Sequence, residues 1–175
     1  MEGEHELEEA IEKARAPFER KVGATMAITA AVLALVSVYG HLTTTEELLA
    51  QQKASDQWAY YQSKSIRRYQ SEMARDMLGT FAGSAAAEMG KKYAANIERY
   101  QKETDEIQEK AREFEKESSI RGRQALRLHM GEIFLEIAIV FSSLALLTRR
   151  TYFWSAGVLV ALAGSAISAT VFLVH

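Results

Sequence analysis

The sequence predicts an all-α integral membrane protein: three transmembrane helices and an extramembrane antiparallel coiled-coil helical hairpin. Three observations lead there. The 21 Lys and Arg and 23 Asp and Glu residues leave residues 22–45 and 151–175 entirely uncharged, and a span needs roughly 20 largely apolar residues. A third apolar stretch precedes the Arg149-Arg150 pair. Between the first and second stretches, residues 42–128 are charged and helical in period, with 15 basic and 14 acidic side chains nearly balanced. The chain of 175 residues has no cysteine, which excludes a disulfide framework or a thiolate-held metal or cluster. Its net charge of -2 gives no electrostatic reason to expect nucleic acid.

Residues 1–21 hold seven Glu and place Leu7, Ile11, Ala14 and Phe18 at helical spacing. They read as a short amphipathic segment broken near Pro17, solvated or partner-bound, since an acidic polar face is the wrong sign for anionic lipid. An acidic start also disfavours a cleaved signal peptide, so residues 22–42 are expected to remain as transmembrane helix one. Gly23, Ala27 and Ala31, with Ala30 and Ala34, lie four apart, which lets helices approach closely in lipid. Thr43 and Thr44 each precede a Glu by three residues, a capping-box pattern that predicts a fresh helix start.

Residues 43–128 form the expected hairpin, with arms about 45–80 and 84–118. In the first arm Leu48, Gln52, Ser55, Ala59, Gln62, Ile66, Tyr69 and Met73 alternate in steps of four and three. In the second, Tyr93, Ile97, Tyr100, Thr104, Ile107, Ala111, Phe114 and Ser118 do the same. Both stripes predict coiled-coil seams with a wet interior. Gly79, Gly83 and Gly90 cluster between the arms, so the chain turns back there. Stripes this polar bury little in a lone helix pair, which predicts association with other copies or with another protein. Gly122 offers a joint before transmembrane helix two, residues 129–148. A basic turn at 149–151 leads to transmembrane helix three, residues 152–175, where Tyr152, Phe153 and Trp154 form an aromatic belt. Gly157, Ala161, Ser165 and Ala169, spaced by four, predict its helix-packing face. Short basic flanks at Arg20, Lys21, Arg149 and Arg150 favour the N-terminus inside and the hairpin outside.

The segment WAYYQSKSIR at 58–67, preceded by KASDQ, and LLTRRTYFW at 146–154 resemble a bacterial membrane-protein family known only as a domain of unknown function. The resemblance covers nearly the whole chain. It implies a bacterial inner-membrane setting and supplies no activity.

Two constellations are candidate sites. In HMGEIFLE, residues 129–136, His129, Glu132 and Glu136 fall at i, i+3 and i+7. The twelve residues from Glu136 to Arg149 cover only about 18–20 Å of a hydrocarbon core roughly 30 Å thick, which puts Glu136 at membrane depth. The three-span topology adds His41 and His175 at the same face, making a proton or cation site with Glu136 as its inner group. The plainer reading has Glu132 snorkelling, Glu136 protonated or bonded to a neighbouring hydroxyl, and the histidines marking interfaces. Trp58, Tyr60, Tyr61 and Tyr69 are the second candidate. Successive helical residues point different ways, so these rings cannot all fill one seam and form either a partner-contact patch or packing within a bundle. No P-loop, dinucleotide-binding or HExxH pattern is present, and nothing predicts an enzyme, a cofactor or an assigned metal. The expected partners are the lipid bilayer, further copies of the chain and a possible docked protein. The leading expectation is a non-enzymatic membrane protein with an oligomerisation or docking hairpin; the alternative is a homo-oligomeric cation or proton channel or transporter subunit.

Overall fold

The computed structural model describes the backbone of residues 2–81 and 83–173 and the side chains of residues 17–81 and 83–173. It is all-helical, with no strand among the described residues. Helix α1 is Glu2–Leu78, α2 is Ser84–Thr148 and α3 is Thr151–Ala169, followed by a 3-10 segment, Thr170–Leu173. All three helices contain stretches long and apolar enough to cross a membrane. The chain forms two compact units, Met1–Thr44 with Arg121–His175, and Thr45–Ile120.

Three expected breaks are absent. Helix α1 runs through Pro17, because an interior proline removes one donor and bends a helix without having to end it. The side chains of the amphipathic positions Leu7, Ile11 and Ala14 lie outside the described residues. No fresh start occurs after residue 42. The Thr43 hydroxyl donates to the Tyr39 carbonyl at 2.9 Å and that of Thr44 to Gly40 at 3.0 Å. Hydroxyls satisfied four residues back are not available as caps, so the capping-box pattern was a false signal. Helix α2 likewise passes through Gly122 without a joint.

The turns fall where they were expected. Past α1, Gly79, Thr80 and Phe81 donate to Arg75, Met77 and Leu78 carbonyls, and Gly83 adopts φ 156°, a backbone open essentially to glycine. Between α2 and α3 only Arg149 and Arg150 intervene. Arg149 has φ 55° and ends α2 as a left-handed cap, while Arg150 is extended.

In the unit Thr45–Ile120, three contacts fix an antiparallel register. The Trp58 indole donates to Glu115 at 2.8 Å, Lys64 meets Glu103 at 2.6 Å, and Arg68 donates to Gln101. The second arm's stripe is the seam: Thr104, Ile107 and Ala111 are buried, and Tyr93, Ile97, Tyr100, Phe114 and Ser118 are half-buried. The first arm meets it with a different stripe from the one its large residues predicted. Ala50, Ala54 and Ser71 are buried, and Gln57, Tyr61, Lys64 and Arg68 are half-buried between them. All eight of the predicted positions, from Leu48 to Met73, are exposed. The physical reason is complementarity. The second arm already supplies large rings, so the first arm fills the seam with small residues and with cations, Lys64 standing 5.6 Å from the Tyr100 ring, while exposed Lys53 reaches to 5.5 Å from the Phe114 ring from outside it.

The Lys64–Glu103 pair makes the pH response of this unit predictable. The hydrogen bond from Lys64 holds the Glu103 carboxyl below the ordinary carboxylate range. Bonds to Glu103 and then Tyr60 hold the Lys64 ammonium above its ordinary value. Glu103's contribution is therefore present above about pH 4.3 and lost as pH falls through its lowered value. Lys64's is full below about pH 10.4 and lost as pH rises through its raised value. Melting of the helical signal should plateau between those limits and weaken on both sides. Glu103→Gln should flatten the acid limb by a small amount, as befits a half-exposed pair; an unchanged acid limb would remove the pair from the account.

Candidate functional site

In the unit Met1–Thr44 with Arg121–His175, helices α2 and α3 pack backbone to backbone. Leu128, Leu135, Ala138, Ser142 and Ala145 of α2 are buried, as are Gly157, Gly164 and Ser168 of α3. A Cβ on Gly164 would lie 2.8 Å from the Phe134 Cβ, and one on Gly157 would lie 3.1 Å from the Ala138 carbonyl. This corrects the step-four ladder. Gly157 is in the contact, Ala161 and Ser165 are half-buried beside it, and Ala169 is exposed. Steps of four rotate about 40° each round an α-helix, so the face drifts off the seam, whereas the Gly157–Gly164 spacing of seven stays on it. Hydroxyls here are satisfied within their own helices, Ser142 by Ala138, Ser165 by Ala161 and Ser168 by Gly164, an arrangement that needs no water.

Helix α1 joins this pair through Trp154, whose indole donates to the Thr25 hydroxyl at 3.1 Å, and through buried Gly40. A Cβ on Gly40 would be 3.6 Å from both the His129 ring and Leu128. That approach assembles a polar cluster. His129 Nε2 lies 3.1 Å from the Thr44 hydroxyl and its Nδ1 3.1 Å from a Glu132 carboxylate oxygen. The Ser37 hydroxyl lies beside Glu132, and the His41 ring stands edge-on to His129 with centroids 6.3 Å apart. Because the Thr44 hydroxyl hydrogen goes to Gly40, its oxygen accepts from His129 Nε2–H. The other nitrogen then shares one proton with Glu132, either as an imidazolium against a carboxylate or as a neutral ring accepting from a carboxylic acid.

The structure thus brings together three of the five residues predicted for an ion or proton site, His41, His129 and Glu132. Glu136 does not join them. It is exposed and makes no hydrogen bond or ion pair among the described residues. The register that pairs Thr44 with His129 and Ser37 with Glu132 brings residues 33–36 of α1 level with it, and all four are apolar. His175 lies outside the described residues. Among the described residues no group of three or more His, Cys, Asp or Glu is arranged to hold a metal. Ser37 and Thr44 were missed as site members because a hydroxyl inside an apolar span carries no signal until the cross-helix register is known.

The aromatic candidates divide by face. Trp58 and Tyr61 are half-buried and stacked edge to face, 5.5 Å between centroids, whereas Tyr60 and Tyr69 are exposed. A shallow groove beside Trp58 is lined by Gln51, Ser55, Glu115 and Ser118. Tyr69 belongs to the exposed stripe of the first arm, where Leu48, Ile66, Tyr69 and Met73 are 58, 56, 57 and 66% exposed.

Helix content, three apolar stretches and a charged helical pair define a class of protein: an all-helical chain fit by composition for a membrane, with a hydrophilic helical insertion between its first and second apolar stretches. Within that class, the chain belongs to the family described as Domain of unknown function (DUF4337), whose model matches residues 18–174. No curated protein and no solved structure matches the chain.

Proposed function

We propose that the chain is a non-enzymatic, three-span protein of the bacterial inner membrane, with the N-terminus inside and the hairpin outside, and that the hairpin is an oligomerisation or partner-docking module. One observation carries the reading. Residues 45–78 contain ten charged side chains, and none occupies the nine heptad positions Thr45, Leu48, Gln52, Ser55, Ala59, Gln62, Ile66, Tyr69 and Met73, every one of them exposed. The seam against the second arm, by contrast, takes in Lys64 and Arg68. A water-facing helix surface ordinarily carries the charges and the inner face excludes them; here one whole exposed stripe excludes them, as a contact surface does. The test is the native mass of the full chain in lipid nanodiscs, alone and after capture of bound proteins. Ile66→Asp with Tyr69→Asp should reduce the assembly to monomers or strip its partner. An unchanged mass and an unchanged set of bound proteins would sink the reading.

The His129–Glu132 proton-sharing pair supports a second function, a small homo-oligomeric proton or cation channel or transporter subunit. Its centre is then Glu132 with His129 and His41, and Glu136 is a separate carboxyl group at membrane depth. Proton flux into proteoliposomes should fall at least about tenfold in Glu132→Gln if that pair relays protons. Equal flux in wild type, Glu132→Gln and Glu136→Gln, or none in any, rules it out.

A further inference from the structure

The exposed stripe of the hairpin arm is one part of a longer pattern. Counting back from Leu48 in the same alternating steps gives Thr45, His41, Val38, Ala34, Ala31, Ala27 and Ala24, and each of these is exposed. Fifteen successive heptad positions, from Ala24 to Met73, therefore keep one register on α1 without a slip. The first unit supplies Ala24 to His41 and the second Thr45 to Met73; all are exposed, and His41 also stands beside the His129 ring at the edge of its own unit's polar cluster. No Asp, Glu, Lys or Arg occupies any of the fifteen.

We propose that this face is a homodimer seam, along which two copies of the chain pair α1 against α1 in parallel and in register. The inference rests on the oligomerisation reading above and names the partner and the alignment. Chemistry changes along the stripe as the surroundings would require. Where α1 is apolar, the seam positions are four alanines followed by Val38 and His41; the alanines permit the close backbone approach that holds helices together in lipid, where apolar burial supplies no drive. A Cβ on neighbouring Gly23 would meet nothing within 4 Å. In the arm the seam holds Leu48, Ile66, Tyr69 and Met73, whose burial does supply a drive in water. Gln52 and Gln62 meet their own copies in register, where amide pairs can bond to each other and fix the alignment at some cost in stability.

Charge and size favour a second copy. On the rows flanking the seam in the arm, only Asp56 and Glu72 are charged. Parallel pairing sets each against the row five residues away on the other copy, so Asp56 faces Gln51 and Glu72 faces Met77, and no like charges meet. The stripe with the exposed residues of its two flanking rows comprises about 25 residues per copy, against the roughly 20–30 a side of a stable interface. Copies inserted the same way in one bilayer are confined to the parallel alignment. The repeat of 3.5 residues also predicts a left-handed supercoil.

The chain has no cysteine, so single cysteines report cleanly in native membranes. Ala27→Cys, Ala59→Cys and Met73→Cys should each form a disulfide-linked dimer on mild oxidation, in about tenfold greater yield than Lys53→Cys and Arg67→Cys, which are exposed on another face, because a disulfide requires Cα atoms within about 7 Å. Linkage at Ala59→Cys alone would mean an antiparallel pair and overturn the alignment. A dimeric native mass with no linkage at any stripe position overturns this seam and leaves the oligomerisation reading standing. A monomeric mass with no linkage overturns both.

Discussion

Gly131→Ala is expected to destabilise the three-helix unit by about 1–3 kcal/mol, the ordinary range for an overpacked core. The added methyl would collide with the Ser168 hydroxyl and sit 2.8 Å from the Gly164 carbonyl. The hydroxyl can rotate away; the carbonyl belongs to α3 and moves only if the helix does. The neighbouring position repeats the constraint, since a Cβ on Gly164 would stand 2.9 Å from the Gly131 carbonyl. Denaturant titration in mixed micelles should show the loss, and Gly131→Ala with Ser168→Ala should recover only part of it. Gly90→Ala serves as the opposite control. Its Cβ meets nothing within 4 Å, so removing a glycine from the interior of α2 should stabilise by about 0.5–1 kcal/mol. Equal effects at Gly131 and Gly90 would mean that α2 and α3 are not in backbone contact.

Composition made the class of this fold legible, and side-chain pairing made the details illegible. The uncharged windows and the Arg149-Arg150 turn stand out because charge is expelled from apolar helices whatever they pack against. The reversal at Gly79–Gly83 was equally plain, since Gly83 takes a backbone angle closed to other residues. Helix continuity at Thr43 was not legible, because the same threonine can cap a helix or bond its own carbonyl four residues back. The seam of the first arm was misread for a different reason. Period alone identifies every stripe at heptad spacing, and Ala50, Ala54, Tyr61 and Ser71 obey it as well as Leu48, Gln52, Ala59 and Tyr69 do. Choosing the larger residues assumed that size marks the inner seam. In this pair the second arm's rings set the volume, and small partners fit. Of the predicted proton site, His129 with Glu132 was readable from their spacing on one helix. Their meeting with Ser37, His41 and Thr44, and Glu136's exclusion from it, depended on the cross-helix register.

The intrachain seam and the exposed stripe of the first arm also make the strongest test of how the hairpin is built. Ile107 is 6% exposed in the seam. Ile107→Asp forfeits about 1.5–3 kcal/mol of burial and places an unpaired carboxylate there, for a total of about 4 kcal/mol or more. Domains hold only about 0.05–0.15 kcal/mol per residue in reserve, so the unit Thr45–Ile120 should open. Amide hydrogen exchange along residues 45–120 of the full chain should accelerate throughout, with helical signal lost from that unit. Ile66→Asp makes the same chemical change on the exposed stripe and should leave intrachain protection within about 0.5 kcal/mol of wild type. In the proposed parallel pair the new carboxylate would face its own copy, so the expected effect is on assembly. The contrast separates a residue that folds the hairpin from one that joins two of them. If Ile66→Asp opens the arms of a monomer, the intrachain seam is the Leu48–Met73 stripe after all, and the outer face has no claim to a partner.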